Sequence, residues 1–312
     1  MHLLIPFAAP QSQAGRDAAR TLVLPQLGAL LALLVPAGRD DGDEWSLSPP
    51  HERALAKAIG WTGADGLLPW AARSAQADGL DAAHHAWGLL TPAHWHLGTD
   101  QVSLLDPAGL MLDDTASRVF FAAIQDLFVD EGYSLHYGTA SRWYAAHDSL
   151  SALSTASLDR VIGRNVDRWL GKDPAARRIR RLQSEVQMRL YTHPLNDERI
   201  ANGLLPVNSF WLSGCGVAQP VAPNDVQVDD RLRAPALAED WAGWCKAWET
   251  LDMEPLATLR AAAQAGQAAQ PLRLTLCGER ASATYTSGPR SLIRTLKARF
   301  AAPAWLPLLE TL

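Results

Sequence analysis

The chain has 312 residues, with 28 Lys+Arg against 33 Asp+Glu for a formal charge of −5, and 48% of it is hydrophobic. That length gives two domains or one large one, with ample chain to bury a core. The nearly balanced charge excludes a disordered acidic tail and a dedicated nucleic-acid binder. Three cysteines, Cys215, Cys245 and Cys277, form no Cys-x-x-Cys pair. They point to buried thiols in a reducing cytoplasm rather than to zinc or a disulfide framework.

His2–Phe7 reads as a first strand, and Pro25 opens a buried helix. Thr21–Gly38 carries no charge, but Pro25 and Gln26 interrupt it and it falls short of the roughly 20 residues of a span. Met1–Phe7 lacks the basic start of a signal peptide, so no membrane element is expected. Asp40-Asp41-Gly42-Asp43-Glu44 is an acidic loop in which Asp41 and Asp43 could attract a hard cation. It has neither the spacing nor the distal Glu of a calcium loop. Ser48-Pro49-Pro50 signals a helix start, with the Ser48 hydroxyl as cap, an apolar face of Ala54, Leu55, Ala58 and Ile59, and Gly60 as its end.

Between residues 86 and 150 the pattern changes. Ala86–Leu97 and Gln101–Asp106 read as strands joined at Gly98-Thr99-Asp100. A helix follows with Val119, Phe120, Ala123, Ile124, Leu127 and Phe128 at helical spacing and Gly132 as its stop, then a hairpin of Tyr133–Tyr137 and Arg142–Ala146. This ββαββ order with local connections implies an α+β unit. His94-Trp95-His96 would set two imidazoles on one strand face, a zinc- or copper-binding geometry with no third ligand in view. His84-His85 would point to opposite faces, and His51 beside Glu52 reads as a surface pair. Ser141-Arg-Trp-Tyr with His147 and Asp148 holds triad residue types without a nucleophile elbow.

From Ser157, Leu158, Val161, Ile162, Val166 and Trp169 form one helical stripe, and Ile179, Leu182, Val186 and Leu190 the next. Residues 160–200 hold nine Arg and Lys172 against five acids, a net of +5 inside an otherwise acidic chain. Such a stretch, Arg177, Arg178, Arg180 and Arg181 above all, could meet phosphate or nucleic acid, or be a solvated helix face. Further on, Trp241, Trp244 and Trp248 make one packing stripe in a chain of 12 Trp, for a core or a dimer interface. Gln264–Gln270 reads as a connector, Leu272–Cys277 and Ala281–Thr286 as strands, and Pro289–Phe300 as a last helix.

The most specific segment runs from Leu190 to Gly216. It reads as a helix end stopped before Pro194, a polar turn, a short helix closed by Gly203, then a strand entering a Gly-x-Gly turn. His193, Asn196 and Arg199 fall three apart and can share a side. An imidazole, an amide and a guanidinium suit a phosphate or carboxylate cradle, or a set of turn-fixing hydrogen bonds. Gly214-Cys-Gly216 is not a dinucleotide fingerprint.

His193, Pro194, Asn196, Arg199, Gly203, Pro206, Asn208, Trp211, Leu212, Gly214 and Gly216 match, in order and spacing, a stretch of another family. The segment resembles the archaeal-type, cofactor-independent phosphoglycerate mutases of the alkaline-phosphatase superfamily. The whole chain is similar to proteobacterial proteins described as phosphoglycerate mutases or as regulatory proteins of the RpfE type. The resemblance implies an α/β fold: an alkaline-phosphatase-like core of residues 1–85 and 205–312, and an inserted α+β (ββαββ) domain of 86–204 with the basic helices. It also implies a ligand pocket lined by His193, Asn196, Arg199 and Asn208, with Trp211, Gly214 and Gly216 as its structural wall.

The sequence departs from the family at its chemistry. The family uses two metal ions, with an Asp-Gly turn after the first strand and a Gly-Asp-His late in the chain. Here Met1–Phe7 runs into Ala8-Ala9-Pro10, the late counterpart is Gly278-Glu279-Arg280, and no histidine follows His193. The expectation is a degenerate core without a resident cofactor, acting as a cytoplasmic regulatory protein or a binder of a phosphorylated or carboxylated small molecule. The rival expectation is a metal-dependent phosphotransferase rebuilt on Asp41, Asp43, His94 and His96. A third is an interaction module whose basic helices dock on an acidic protein or nucleic acid.

Overall fold

The computed structural model describes residues 1–83, 85–171, 174–265, 271–288 and 305–312. The helix expected over Pro289–Phe300 and most of the 264–270 connector lie outside the described residues, as does His84. The strands run β1 (His2–Ile5), β2 (Leu34–Asp41), β3 (Ala86–Ala93), β4 (Trp95–Leu97), β5 (Val102–Leu104), β6 (Ser134–Thr139), β7 (Arg142–Ala146), β8 (Ser209–Val217), β9 (Val226–Val228), β10 (Arg273–Cys277) and β11 (Ala281–Ser287). The chain is α/β. It divides into two compact units, one of Met1–Trp45, Pro49–Gly60 and Val221–Leu312, the other of Ser46–Ser48 and Trp61–Pro220.

The first unit is built on a mixed sheet ordered β2-β11-β10-β1-β9. β1 is parallel to both β10 and β9, whereas β11 runs antiparallel to β10 and β2. All four residues of β1 are buried, as a central parallel strand covered on both faces requires. On one face Leu3, Ile5, Leu274 and Leu276 pack with Leu27 and Leu30 of the Pro25–Leu33 helix and with Trp244 and Trp248 of the Trp241–Leu251 helix. The tryptophan stripe thus serves the core, its Trp244 and Trp248 rings edge to face at 6.1 Å. Leu24, at the cap of the Pro25 helix, has no polar side chain to offer. The buried Asp252 supplies the cap instead, accepting from the Gln26 and Leu27 amides at 3.0 and 2.8 Å. The Pro50–Ala58 helix packs against the strands as well, but its cap residue is Pro49. The Ser48 hydroxyl, expected as that cap, accepts from the Gly66 amide.

The second unit carries an antiparallel sheet ordered β6-β7-β3-β8 and a separate β4–β5 hairpin. The expected strand over Ala86–Leu97 is broken at His94 into β3 and β4. The helices Asp114–Asp130 and Pro174–Tyr191 cover the sheet with Phe120, Ile124, Phe128, Leu182 and Val186 against Trp143, Phe210 and Leu212. The alanine-rich helix Trp70–Ala77 packs Ala71, Ala72 and Ala75 with Trp87 and Tyr144 in a second cluster. The single stripe read over 158–169 is divided: Gly163, at φ +74°, separates the short helix Leu158–Val161 from the 3-10 turn Val166–Arg168.

Gly214 and Gly216 lie inside β8 rather than in a turn beyond it. Trp87 pairs with Gly216 and Leu89 with Ser213, so two residues of β8 oppose Gly88 in a bulge. Gly214 holds φ +62°, and a Cβ there would lie 2.9 Å from the Ala71 amide nitrogen. The glycine therefore permits both the bulge and the close approach of the Trp70–Ala77 helix. Among the described residues no helix is long and apolar enough to cross a membrane.

Candidate functional site

The Pro194–Ala201 helix starts at His193, whose ring nitrogen accepts from the Leu195 amide while the ring packs 5.2 Å from Phe120. Asn196, 3% exposed, spends its amide on the main chain. Its Nδ2 donates to the Leu190 and Val207 carbonyls at 2.9 and 2.8 Å, and its Oδ1 accepts from the Val207 amide at 2.9 Å. Arg199, 5% exposed, donates from Nε to the Leu205 carbonyl at 2.9 Å and from Nη2 to the Leu110 carbonyl. Burial pushes its pKa down, and the nearby Asp113 acts the other way. Asn208 accepts from the Trp95 amide at 2.8 Å and donates to the Trp95 carbonyl at 3.0 Å, extending strand pairing around the corner between β3 and β4. His94 closes the same corner through Nδ1–H to the Pro206 carbonyl at 2.8 Å. Trp211, 2% exposed, donates to the Ala156 carbonyl at 2.9 Å and lies 6.3 Å from the Trp95 ring.

The motif is thus brought together as one fastening. Its polar atoms tie a helix end, the 202–208 loop and a strand to one another through main-chain groups, as buried backbone requires. Gly203, at φ +72°, ends the helix in the left-handed conformation.

The other candidate residues have local partners of their own. Asp40 and Asp41 belong to β2 rather than to a loop; Arg53 pairs with Asp40 and Arg39 with Asp41, both at 2.6 Å. Asp43 accepts from the Trp45 amide. His94 and His96 stand 6.4 Å apart between ring centroids. Among the described residues no group of three or more His, Cys, Asp or Glu is placed to hold a metal ion. His147 caps its own turn through the Ser149 amide, and Arg142 and Tyr144 converge on Asp78, at 2.6 Å for both the Arg142 Nη2 and the Tyr144 hydroxyl. The sequence offers no local sign of that network, because Asp78 lies some 65 residues upstream of its partners.

Of the basic stretch, Arg178 and Arg181 both engage Glu131, and Arg189 engages Asp126, so these cations join two helices of the sheet cover. Cys215 and Cys277 are buried free thiols, the first pushed up to about 12 by burial and the second higher by the same cause. Such thiols are poor nucleophiles and poor metal ligands.

In the first unit, the carboxyl ends of β1 and β10 lie side by side. Ile5 pairs with Leu276, and the Ala8 amide donates to the Cys277 carbonyl at 2.7 Å. Open α/β sheets hold ligands at strand ends of this kind. Phe7 turns the chain there at φ +54°, unusual for a bulky side chain, and the Trp244 indole fixes it by donating to the Phe7 carbonyl at 3.0 Å. Ala8 and Ala9 are buried and bring no donor atoms. A Cβ on Gly278 would collide with Leu312, whose carbonyl accepts from the Arg280 and Ala281 amides at 3.1 and 2.9 Å. These residues do not fit a two-metal centre.

No family model and no curated protein matches the chain. Among solved structures it is similar to the cofactor-independent phosphoglycerate mutase from Thermoplasma acidophilum, at 14% identity and a TM-score of 0.38, over 99% of both chains. It is also similar to the PH0037 protein from Pyrococcus horikoshii, at 11% identity and a TM-score of 0.47, over 99% of this chain and 97% of that one.

Proposed function

We propose that the chain is a phosphoglycerate-mutase-like protein whose catalytic core is degenerate, with an inserted α+β domain. It acts in the cytoplasm as a regulatory protein or as a binder of an anionic metabolite, phosphorylated or carboxylated, that it does not turn over. The observation that carries the reading is the pairing of β1 with β10. It sets Ala8-Ala9-Pro10 beside Gly278-Glu279-Arg280, where the resembled family would place an Asp-Gly turn and a Gly-Asp-His. Alanine offers nothing to a cation, and Leu312 lies over Gly278. The absence of any histidine after His193 supports the same reading from the sequence.

The test is turnover of 3-phosphoglycerate and of a generic phosphomonoester by the full chain, with added manganese or magnesium and with a chelator. No metal-dependent turnover is expected. Isomerisation or hydrolysis that the chelator abolishes overturns the proposal.

A further inference from the structure

The helix Pro174–Tyr191 buries Ile179, Leu182, Val186 and Leu190 in the core of the second unit. Its opposite side carries Arg177, Arg181, Ser184, Met188 and Tyr191, all exposed. At about 100° per residue these five lie within about 40° of one line that runs roughly 21 Å along the helix. Their spacing of four, three, four and three is that of a helix–helix seam, set here on the side turned away from the core. Met188 is 74% and Tyr191 81% exposed, whereas a solvated helix face is ordinarily polar.

The order of residues along this line is complementary to its own reverse. Turned about Ser184, the line sets Arg177 opposite Tyr191, Arg181 opposite Met188, and Ser184 opposite itself. A guanidinium over a phenol ring is a cation–π contact, and the aliphatic stem of an arginine covers a thioether. Serine at the centre lets two backbones approach closely. Its hydroxyl donates to the Arg180 carbonyl at 3.1 Å, so it brings no unmet donor to such a contact. Arg178, Arg181 and Arg189 each engage a carboxylate; Arg177 engages none among the described residues. The charges are polarised in the same sense. Arg177, Arg178, Arg180 and Arg181 crowd the first half of the helix, and the exposed Asp197 and Glu198 follow its end. Parallel pairing of two such helices sets cations against cations, whereas antiparallel pairing brings each basic end towards an acidic one.

We infer that this face is an interface with a second copy of the chain, the two Pro174–Tyr191 helices packing antiparallel about a twofold axis at Ser184. Such an interface is isologous, each Arg177 meeting the Tyr191 of the other copy. One seam of five residues per helix buries less than the roughly 1,200 Å² of a stable interface, so the dimer is weak, with a Kd on the order of 10–100 µM. Self-association of this kind is independent of the function proposed above.

The test is sedimentation equilibrium of the full chain from about 5 to 500 µM, with monomer expected at the low end and dimer at the high end. Arg177→Ala removes two symmetry-related cation–π contacts and should weaken the dimer about tenfold. Tyr191→Arg sets guanidiniums against each other and should weaken it at least as much. Combining Tyr191→Arg with Arg177→Tyr exchanges the partners and should restore association to within about threefold of the parent. Ser184→Arg brings bulk and charge to the axis and should abolish it. All these positions are exposed, so the thermal midpoint should stay that of the parent. On the twofold axis a residue meets its own copy. Ser184→Cys, with oxidised glutathione taking up the two electrons, should therefore form an intermolecular disulfide far faster than Thr258→Cys, an exposed position in the first unit. A monomer at every concentration, equal cross-linking of the two cysteine variants, or no recovery in the exchanged double variant overturns the proposal.

Discussion

Asn196→Ala removes three hydrogen bonds at once: two donated to the Leu190 and Val207 carbonyls and one accepted from the Val207 amide. At about 1 kcal/mol net for each bond the loss is ~3 kcal/mol, and it rises towards ~5 kcal/mol because the stranded main-chain groups stay buried. For a unit of this size the midpoint of thermal unfolding should fall by about 10 °C. Asn196→Asp should be no milder, since it keeps the bond from the Val207 amide but turns a carboxylate oxygen towards the carbonyls that Nδ2 now serves. The measurement is thermal and urea unfolding followed by circular dichroism, alongside titration with 3-phosphoglycerate. A loss below about 1 kcal/mol, together with weakened binding of the phosphate compound, would show that Asn196 faces a ligand instead of fastening the main chain.

Two further expectations concern stability. His2 is 6% exposed and bonded to the Thr275 hydroxyl, and burial lowers its pKa from 6.5 to about 4, with the Arg273 charge second. The unfolded chain therefore takes up the proton first as the pH falls, so stability is lost between pH 6.5 and 4. The loss should be about 2 kcal/mol at pH 5 and ~3 kcal/mol below pH 4. Urea unfolding across that range should show this slope in the parent chain and a flatter one in His2→Gln; parallel slopes would refute the assignment. Gly214→Ala meets both a left-handed backbone and the Trp70–Ala71 main chain, and should cost about 3 kcal/mol. Gly203→Ala, which shares the left-handed backbone but has open space around it, should cost ~1 kcal/mol. Equal losses in denaturant titrations of the two would discard the close-approach account.

Elements whose signal is local were legible in the sequence. The Trp244–Trp248 stripe, the Phe120–Phe128 face and the paired late strands are set by period and bounded by nearby breakers. Misreadings arose where a distant partner decides. The Pro25 helix is capped from Asp252, and the hydroxyl of Ser48 accepts from the amide of Gly66, beyond the helix that follows it. Gly214 reads as a turn until β3 is known to lie opposite it. The 193–208 motif was legible as a constellation, and the bonds of Asn196 and Asn208 to main chain were one of two readings open from spacing alone.

The pairing of β1 also sets an order of events during synthesis. Among the described residues His2–Ile5 has its strand partners in Val226–Val228 and Arg273–Cys277, whereas the second unit is almost one uninterrupted run, Trp61–Pro220. A nascent chain leaving the ribosome can therefore complete the later-numbered unit while its first strand, among the most apolar stretches it has made, still waits for partners. Maturation of the first unit is thus tied to the synthesis of Arg273–Cys277, and a chain stalled before residue 273 would carry a folded second unit and an unpaired, adhesive His2–Ile5 strand.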